Sequence, residues 1–367
     1  MRSRSAVNEG NGRRARRVDQ VLPWIESADA ISNYALQLRD HLRERGYASD
    51  IWVEARGSAI DARARAFEPH AVARANAILY HHSIGTELTE LVAALDVPKA
   101  LIYHNVTPPA FYADYRPALA YALEAGAGAL PAIAAAFDRV IAVSDYNAAG
   151  LRAAGMTNVE TIPVIVDAGR FGAAPAAAAL REGDAAMRWL FVGRIAPNKG
   201  LRRLIEVAGA FRRGCGAVRL TIVGRSDTED PYLAELHALV AELDLEGAVR
   251  FAGVLSDAAL AQEYRNADVL VTLSEHEGFC VPLVEAMFFD LPVVALAAAA
   301  IPETLGAAGL LIDPAAGVAE IAAVLLCLRD DPALRAAIVA AQRARRDDFS
   351  PARVWPQIDR LVEALAS

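Results

Sequence analysis

Strand-length apolar runs alternate with segments of helical periodicity along this chain, and the alternation stops once and then restarts. Parallel strands need a long crossover, normally a helix, so a repeated βα rhythm folds into doubly wound parallel sheets with helices on both faces. The first series predicts strands at Val18–Ile25, Ile51–Glu54, Ala77–Tyr80, Ala100–Tyr103, Arg139–Val143 and Val159–Ile162, with a helix Ile31–Arg45 stopped at Gly46. The second series predicts Trp189–Val192, Val218–Val223, Val249–Ala252, Asp268–Leu273, Pro292–Leu296 and Leu310–Ile312. Between them, Gly172–Leu180 is mostly alanine around Pro175 and reads as a linker. With 367 residues the chain divides into an Arg-rich tail at 1–17, a first domain at 18–171, a linker at 172–184, a second domain at 185–345 and a terminal helix at 346–367.

Helix signals are strongest in the second half. Leu201, Leu204, Ile205, Ala208 and Phe211 repeat at helical spacing and form one buried stripe. Asp230-Pro231 supplies an N-cap and a first helical residue, ahead of Leu233, Leu236, Val240 and Leu243. Near the end, Trp355, Ile358, Leu361, Val362 and Leu365 form an apolar stripe that needs a surface to cover. Two facing βα domains leave a cleft between them, the default place for a ligand.

Composition narrows the function classes. A chain that is 54% hydrophobic is no disordered polymer. Cys215, Cys280 and Cys327 share no CxxC spacing, so neither a disulfide framework nor a structural zinc site is expected. Apolar runs are strand-sized or broken by Gly, Pro or charge, and the expectation is a cytoplasmic chain without a membrane span. A net charge of −8 argues against a nucleic-acid surface. Six arginines within the first 17 residues leave two readings open. One is a leader without fixed structure; the other is a peripheral contact with anionic lipid at the inner membrane face.

Two loops carry chemistry. Val192-Gly193-Arg194-Ile195-Ala196-Pro197-Asn198-Lys199-Gly200 runs from a strand into a helix start. Two fixed cations beside a helix N-terminus suit a diphosphate, although a solvated surface pair also has this appearance. The chain has only two lysines, Lys99 and Lys199, against 35 arginines, which marks Lys199 as a chosen point charge. Ser274 to Met287 follows the strand Asp268–Leu273 and contains Glu277, Gly278 and Glu285, with Pro282 starting a helix. Gly278 permits close backbone approach, and Glu285 can accept from adjacent ribose hydroxyls. Two ordinary acids complementing a helix dipole are the bland alternative.

Taken together, the Gly-Arg-x4-Lys loop, the Glu277–Glu285 segment and Pro302-Glu303 resemble the retaining GT-B glycosyltransferases of family 4, the group 1 glycosyl transferases. The resemblance covers the second domain; in the first it is looser, at Ser27–Leu38, Tyr103–Asn105 and Ser144-Asp145-Tyr146-Asn147. It implies two Rossmann-like domains facing a central cleft, with the terminal helix crossing back to the first. It further implies transfer of a hexose from a UDP- or GDP-linked donor to a glycan or lipid-linked acceptor, with no cofactor and no metal. In that setting Arg194 and Lys199 hold the donor diphosphate, and Glu277 lies against the transferred sugar. The amides of Gly278 and Phe279 bind the sugar hydroxyls, Glu285 binds the ribose, and Val254 meets the base through its backbone. His104 matches the cleft histidine that contacts sugar and acceptor, while Gly193, Cys280, Val281 and Leu283 complete the donor-binding set.

Some segments depart from the family pattern. Pro23 to Ala30 replaces a glycine-rich first loop, and Phe289-Asp290 stands where smaller residues are expected. These bear on acceptor geometry more than on the donor side. A structural role for His104 stays open, as does a metal site at His81-His82 and His104, although no His-x3-His or Asp-x-Asp accompanies them. Gly126-Ala127-Gly128 reads as helix or loop packing, and Cys280 as a small loop residue rather than a nucleophile. Two other functions compete with transfer: epimerisation or hydrolysis of a nucleotide sugar, and a non-catalytic binding subunit.

Overall fold

The computed structural model describes residues 15–27, 29–54, 61–172, 186–226 and 230–367. The arginine tail up to residue 14 and the linker from 173 lie outside these residues. Seven parallel strands form the first sheet: β1 (Val18–Leu22), β2 (Ile51–Val53), β3 (Arg65–Ala66), β4 (Ala77–His82), β5 (Lys99–Tyr103), β6 (Arg139–Ala142) and β7 (Val159–Thr161). Six form the second: β8 (Ala186–Val192), β9 (Ala217–Val223), β10 (Val249–Gly253), β11 (Val269–Thr272), β12 (Val293–Leu296) and β13 (Leu310–Ile312). Their orders are β3-β2-β1-β4-β5-β6-β7 and β10-β9-β8-β11-β12-β13. Each reverses direction once, between β1 and β4 and between β8 and β11, so both sheets are Rossmann-like with one switch point each.

Most strand expectations hold within a few residues, and the differences have physical causes. Pro23 lacks an amide to continue the ladder, and β1 ends at Leu22 rather than Ile25. β4 runs on through His81 and His82, which are both fully buried. β3 has no apolar run to announce it, since both its residues are exposed. Helix Ala30–Glu44 starts where the Asp29 side chain accepts from the Ser32 amide at 2.8 Å. In helix Leu201–Gly214 the stripe Leu201, Leu204, Ile205, Ala208 and Phe211 is fully buried. Asp230 caps helix Pro231–Glu242 through the Tyr232 amide, but the buried face there is Tyr232, Leu236, Leu239 and Val240, with Leu233 and Leu243 half-buried. Gly126 lies inside helix Pro117–Ala134, where an added Cβ would sit 2.2 Å from the Gly85 amide nitrogen; the glycine pair is a packing contact.

Helix Pro351–Leu365 returns to the first domain. Val354, Ile358, Leu361, Val362 and Leu365 are buried in a cluster with Val18, Leu38 and Leu42. Each buried aliphatic side chain contributes about 1.5–3 kcal/mol. Trp355 stays half-buried and stacks on His41 at 4.0 Å between ring centroids, while His41 Nε2 lies 2.8 Å from Asp359 Oδ1. Among the described residues no helix is long and apolar enough to cross a membrane.

Candidate active site between the two domains

The carboxyl edges of the two sheets face one another, and the sequence-predicted loops sit at the second switch point. The loop after β8 is pinned to the turn after β9 by the Ile195 amide donating to the Arg225 carbonyl at 2.8 Å. Gly200 ends it in the left-handed region (φ 64°), where a Cβ would stand 2.0 Å from the Leu273 carbonyl oxygen. Only glycine fits there, and the close approach carries the Lys199 side chain to the loop after β11. Lys199 Nζ donates to Glu277 Oε2 at 2.8 Å, with both side chains mostly buried. Arg194 is exposed just beyond β8, and Val254 is exposed just beyond β10, two strands away in the sheet.

Gly278 brings the domains together. A Cβ there would meet the His104 carbonyl oxygen at 2.3 Å and Asn105 Cβ at 3.0 Å, so the glycine loop lies directly on the first domain's turn after β5. Glu277, Gly278 and His104 thus converge. Helix Ile301–Leu305 buttresses the loop from behind: Thr304 Oγ1 donates to the Phe279 carbonyl at 2.7 Å. Phe279 packs its ring edge-on against Phe349, and only its backbone can serve a ligand. Cys280 is buried with φ 71°, and burial pushes its thiol well up, which suits a loop residue and not a nucleophile. Val281 is half-buried at the start of helix Val281–Phe288.

Two of the expected site residues are buried. The Leu283 side chain packs fully in the second domain's core, and its amide donates to the Cys280 carbonyl. Glu285 is not an open carboxylate. It is 3% exposed, accepts from Tyr264 Oη at 2.7 Å and is paired with Arg170. The unexpected Phe289 accounts for part of this, because it stacks on Tyr264 at 4.9 Å and holds the phenol in place.

In the first domain, His104 Nε2 lies 2.9 Å from His81 Nδ1, and His81 Nε2 lies 2.9 Å from Gln20 Oε1. Burial pushes the His81 imidazole down to about 3 and His82 to about 4, and it lowers His104 strongly. Among the described residues no three His, Cys, Asp or Glu side chains gather as a metal site.

Two residues quoted in the motifs acquire roles that spacing did not reveal. Asn198 donates to the His276 carbonyl at 3.0 Å and receives Tyr112 Oη at 3.4 Å, tying both loops of the second domain to the first. Glu303 reaches across the cleft to accept the Asp145 and Tyr146 amides at 2.6 and 2.9 Å. The atypical first loop is an interface as well: Glu26 pairs with Arg225 at 2.8 Å, and Arg225 also donates to the Ser27 carbonyl.

Two facing Rossmann-like domains with a returning terminal helix define the GT-B architecture. Sucrose-phosphate synthase from Thermosynechococcus elongatus has the same fold, with a TM-score of 0.77 at 21% identity over 95% of this chain and 99% of that one. The Anabaena HepE structure in complex with UDP-glucose superposes with a TM-score of 0.74 at 19% identity, over 95% and 100%. Residues 179–345 match the family model described as glycosyl transferases group 1. D-inositol 3-phosphate glycosyltransferase from Kineococcus radiotolerans is 35% identical over 237 residues, 58% of this chain and 54% of that protein. The chain spans about half the length of the curated relatives it matches.

Proposed function

We propose that the protein is a retaining glycosyltransferase that moves a hexose from a nucleoside-diphosphate sugar to a glycan or lipid-linked acceptor, in polysaccharide or glycoconjugate assembly. The observation that carries this reading is the Lys199–Glu277 pair at the second switch point, seated against the His104 turn of the opposite domain. Lys199 and Arg194 supply positive charge where a departing diphosphate develops negative charge, so the leaving group needs no metal ion. Glu277 and the amides of Gly278 and Phe279 face the transferred sugar. A ribose reaches Glu285 only when Arg170 gives up its carboxylate oxygen. HepE, which shares the fold, binds UDP-glucose, and this favours a uridine donor as the first to be tried.

A thermal-shift panel of UDP-, GDP-, ADP- and TDP-sugars tests the donor class. A donor at 100 times its dissociation constant adds about 2.7 kcal/mol of stability. Transfer should then persist in EDTA, and the product should keep the donor's anomeric configuration by NMR. No stabilisation by any of the four donors, or activity lost to EDTA and restored by manganese, overturns the reading.

A further inference from the structure

A continuous line of hydrogen bonds runs under the cleft of the first domain, and its direction is fixed at one end. Gln20 Nε2 lies 2.9 Å from the Ala35 carbonyl oxygen. A backbone carbonyl only accepts, so Gln20 must donate there, and its other atom, Oε1, is an acceptor. His81 Nε2, 2.9 Å away, therefore carries a proton. The His81 imidazole is fully buried and held neutral by that burial, so its Nδ1 is a lone pair. His104 Nε2, 2.9 Å from that lone pair, must in turn carry a proton. One polar ring atom is left on His104. In the neutral ring Nδ1 is an acceptor, and it makes no hydrogen bond among the described residues.

We infer that Gln20 and His81 are positioning residues that hold His104 as the Nε2–H tautomer, so that its Nδ1 accepts a hydrogen bond from a sugar hydroxyl in the cleft. The surroundings favour one fixed ring orientation. Tyr34 stands edge-on to both imidazoles at 5.7 Å, and the two imidazoles are nearly parallel at 5.2 Å. The turn that carries His104 is the one that touches Gly278, so the ring borders the region assigned to the transferred sugar. A histidine donating at Nδ1 could pair with any sugar oxygen, ring, glycosidic or hydroxyl; an accepting Nδ1 pairs only with a hydroxyl. The catalytic part of the inference rests on the transferase reading, whereas the tautomer does not.

The test uses the whole chain labelled with 15N-histidine, with His104 assigned by comparison with His104→Ala. Long-range proton–nitrogen spectra of the wild type should give a protonated Nε2 and an unprotonated Nδ1 for His104. Gln20→Leu removes the acceptor for His81 Nε2, which lets the line reverse. The His104 Nδ1–H form should then appear, and kcat should fall at least tenfold with the donor KM within twofold. His81→Leu should lose a similar amount, and His81→Gln, which keeps one donor and one acceptor, should recover at least half of it. A wild-type His104 protonated at Nδ1 overturns the inference whether or not any variant folds. So does a folded Gln20→Leu enzyme with unchanged kcat. If no nucleotide sugar is turned over at all, the transferase reading fails, and the wild-type spectrum still decides the tautomer.

Discussion

In the middle of β1, near the end of β4 and just after β5, the first domain offers Gln20, His81 and His104, neutral groups joined by hydrogen bonds. At the equivalent place in the same strand order, beside β8 and β11, the second domain offers Lys199 and Glu277, a charged pair. Both topologies create a crevice at the switch point, so the fold does not choose the ligand. The side chains do. A charged crevice suits a phosphate ester, whose charge needs neutralising; a neutral, directional one suits hydroxyls, which need donors and acceptors in order. On the proposed transferase reading, the two halves would be a donor side and an acceptor side of one cleft.

The difference should be largest in acid. His81, His82 and His104 are buried and lowered in the folded first domain, whereas in the unfolded chain each takes up a proton near 6.5. The unfolded state therefore binds more protons below that value. Stability is fully present above about pH 6.5 and falls as pH drops toward the folded values, about 4 for His82 and about 3 for His81. Each histidine contributes a loss of about 1.4 kcal/mol per pH unit in that window. In the second domain, burial lowers His276. Hydrogen exchange at pH 7 and pH 5, corrected for intrinsic rates, should show β4 and β5 losing protection well before β8 and β9. Equal losses in the two sheets would break the comparison.

Next in size is Lys199→Ala. If the ammonium meets a phosphate oxygen whose charge grows as the glycosidic bond breaks, its loss costs about 1.5–3 kcal/mol in the transition state. The expected fall in kcat is about ten- to over a hundredfold, with a smaller effect on donor affinity. The ion pair adds a second consequence, because Glu277 would be left mostly buried without its partner. Lys199→Ala with Glu277→Gln should therefore be more stable than Lys199→Ala alone, and no more active. Steady-state kinetics and melting curves read the two effects separately. An unchanged kcat in the folded variant would remove the phosphate role.

The same comparison explains what was legible in the sequence. The residues proposed for the donor side lie in short loops, where Gly200, Gly278 and Pro282 punctuate strand-to-helix turns, so order and spacing along the chain mark them out. The proposed acceptor side is assembled from Gln20 and His81 on two strands and His104 just beyond a third, and their meeting depends on register that no single sequence prints. Ending β4 at Tyr80 concealed that His81 belongs to the sheet and reaches His104 laterally. Leu283 shows that a helix near a site also has a core face, and position in a motif does not say which face a residue takes. The Arg170–Glu285–Tyr264 contacts join segments far apart in the chain, and composition gave no sign of them. The terminal helix was readable because its apolar stripe had no other surface to cover.

Glu303 sharpens the comparison with the smallest effect, because it belongs to neither crevice and joins their owners. Its two carboxylate oxygens accept the Asp145 and Tyr146 amides at the start of helix Asp145–Ala153, 158 residues away for Asp145. These first-turn amides have no partner within their own helix and a favourable dipole, and a carboxylate there is worth about 0.3–1 kcal/mol, rising to about 2 when partly buried. Glu303→Gln keeps one acceptor oxygen and turns an amide NH2 toward an N–H, losing one bond and the charge. A loss of about 1 kcal/mol in the closed arrangement is about a fivefold change. Since the assigned phosphate-binding residues all lie in the second domain, donor affinity measured by calorimetry should hardly move. Apparent affinity for the acceptor should weaken by up to about fivefold, and Glu303→Asp should lie between the two. A fall in donor affinity equal to that for the acceptor would place Glu303 in the donor site and dissolve the division of labour between the domains.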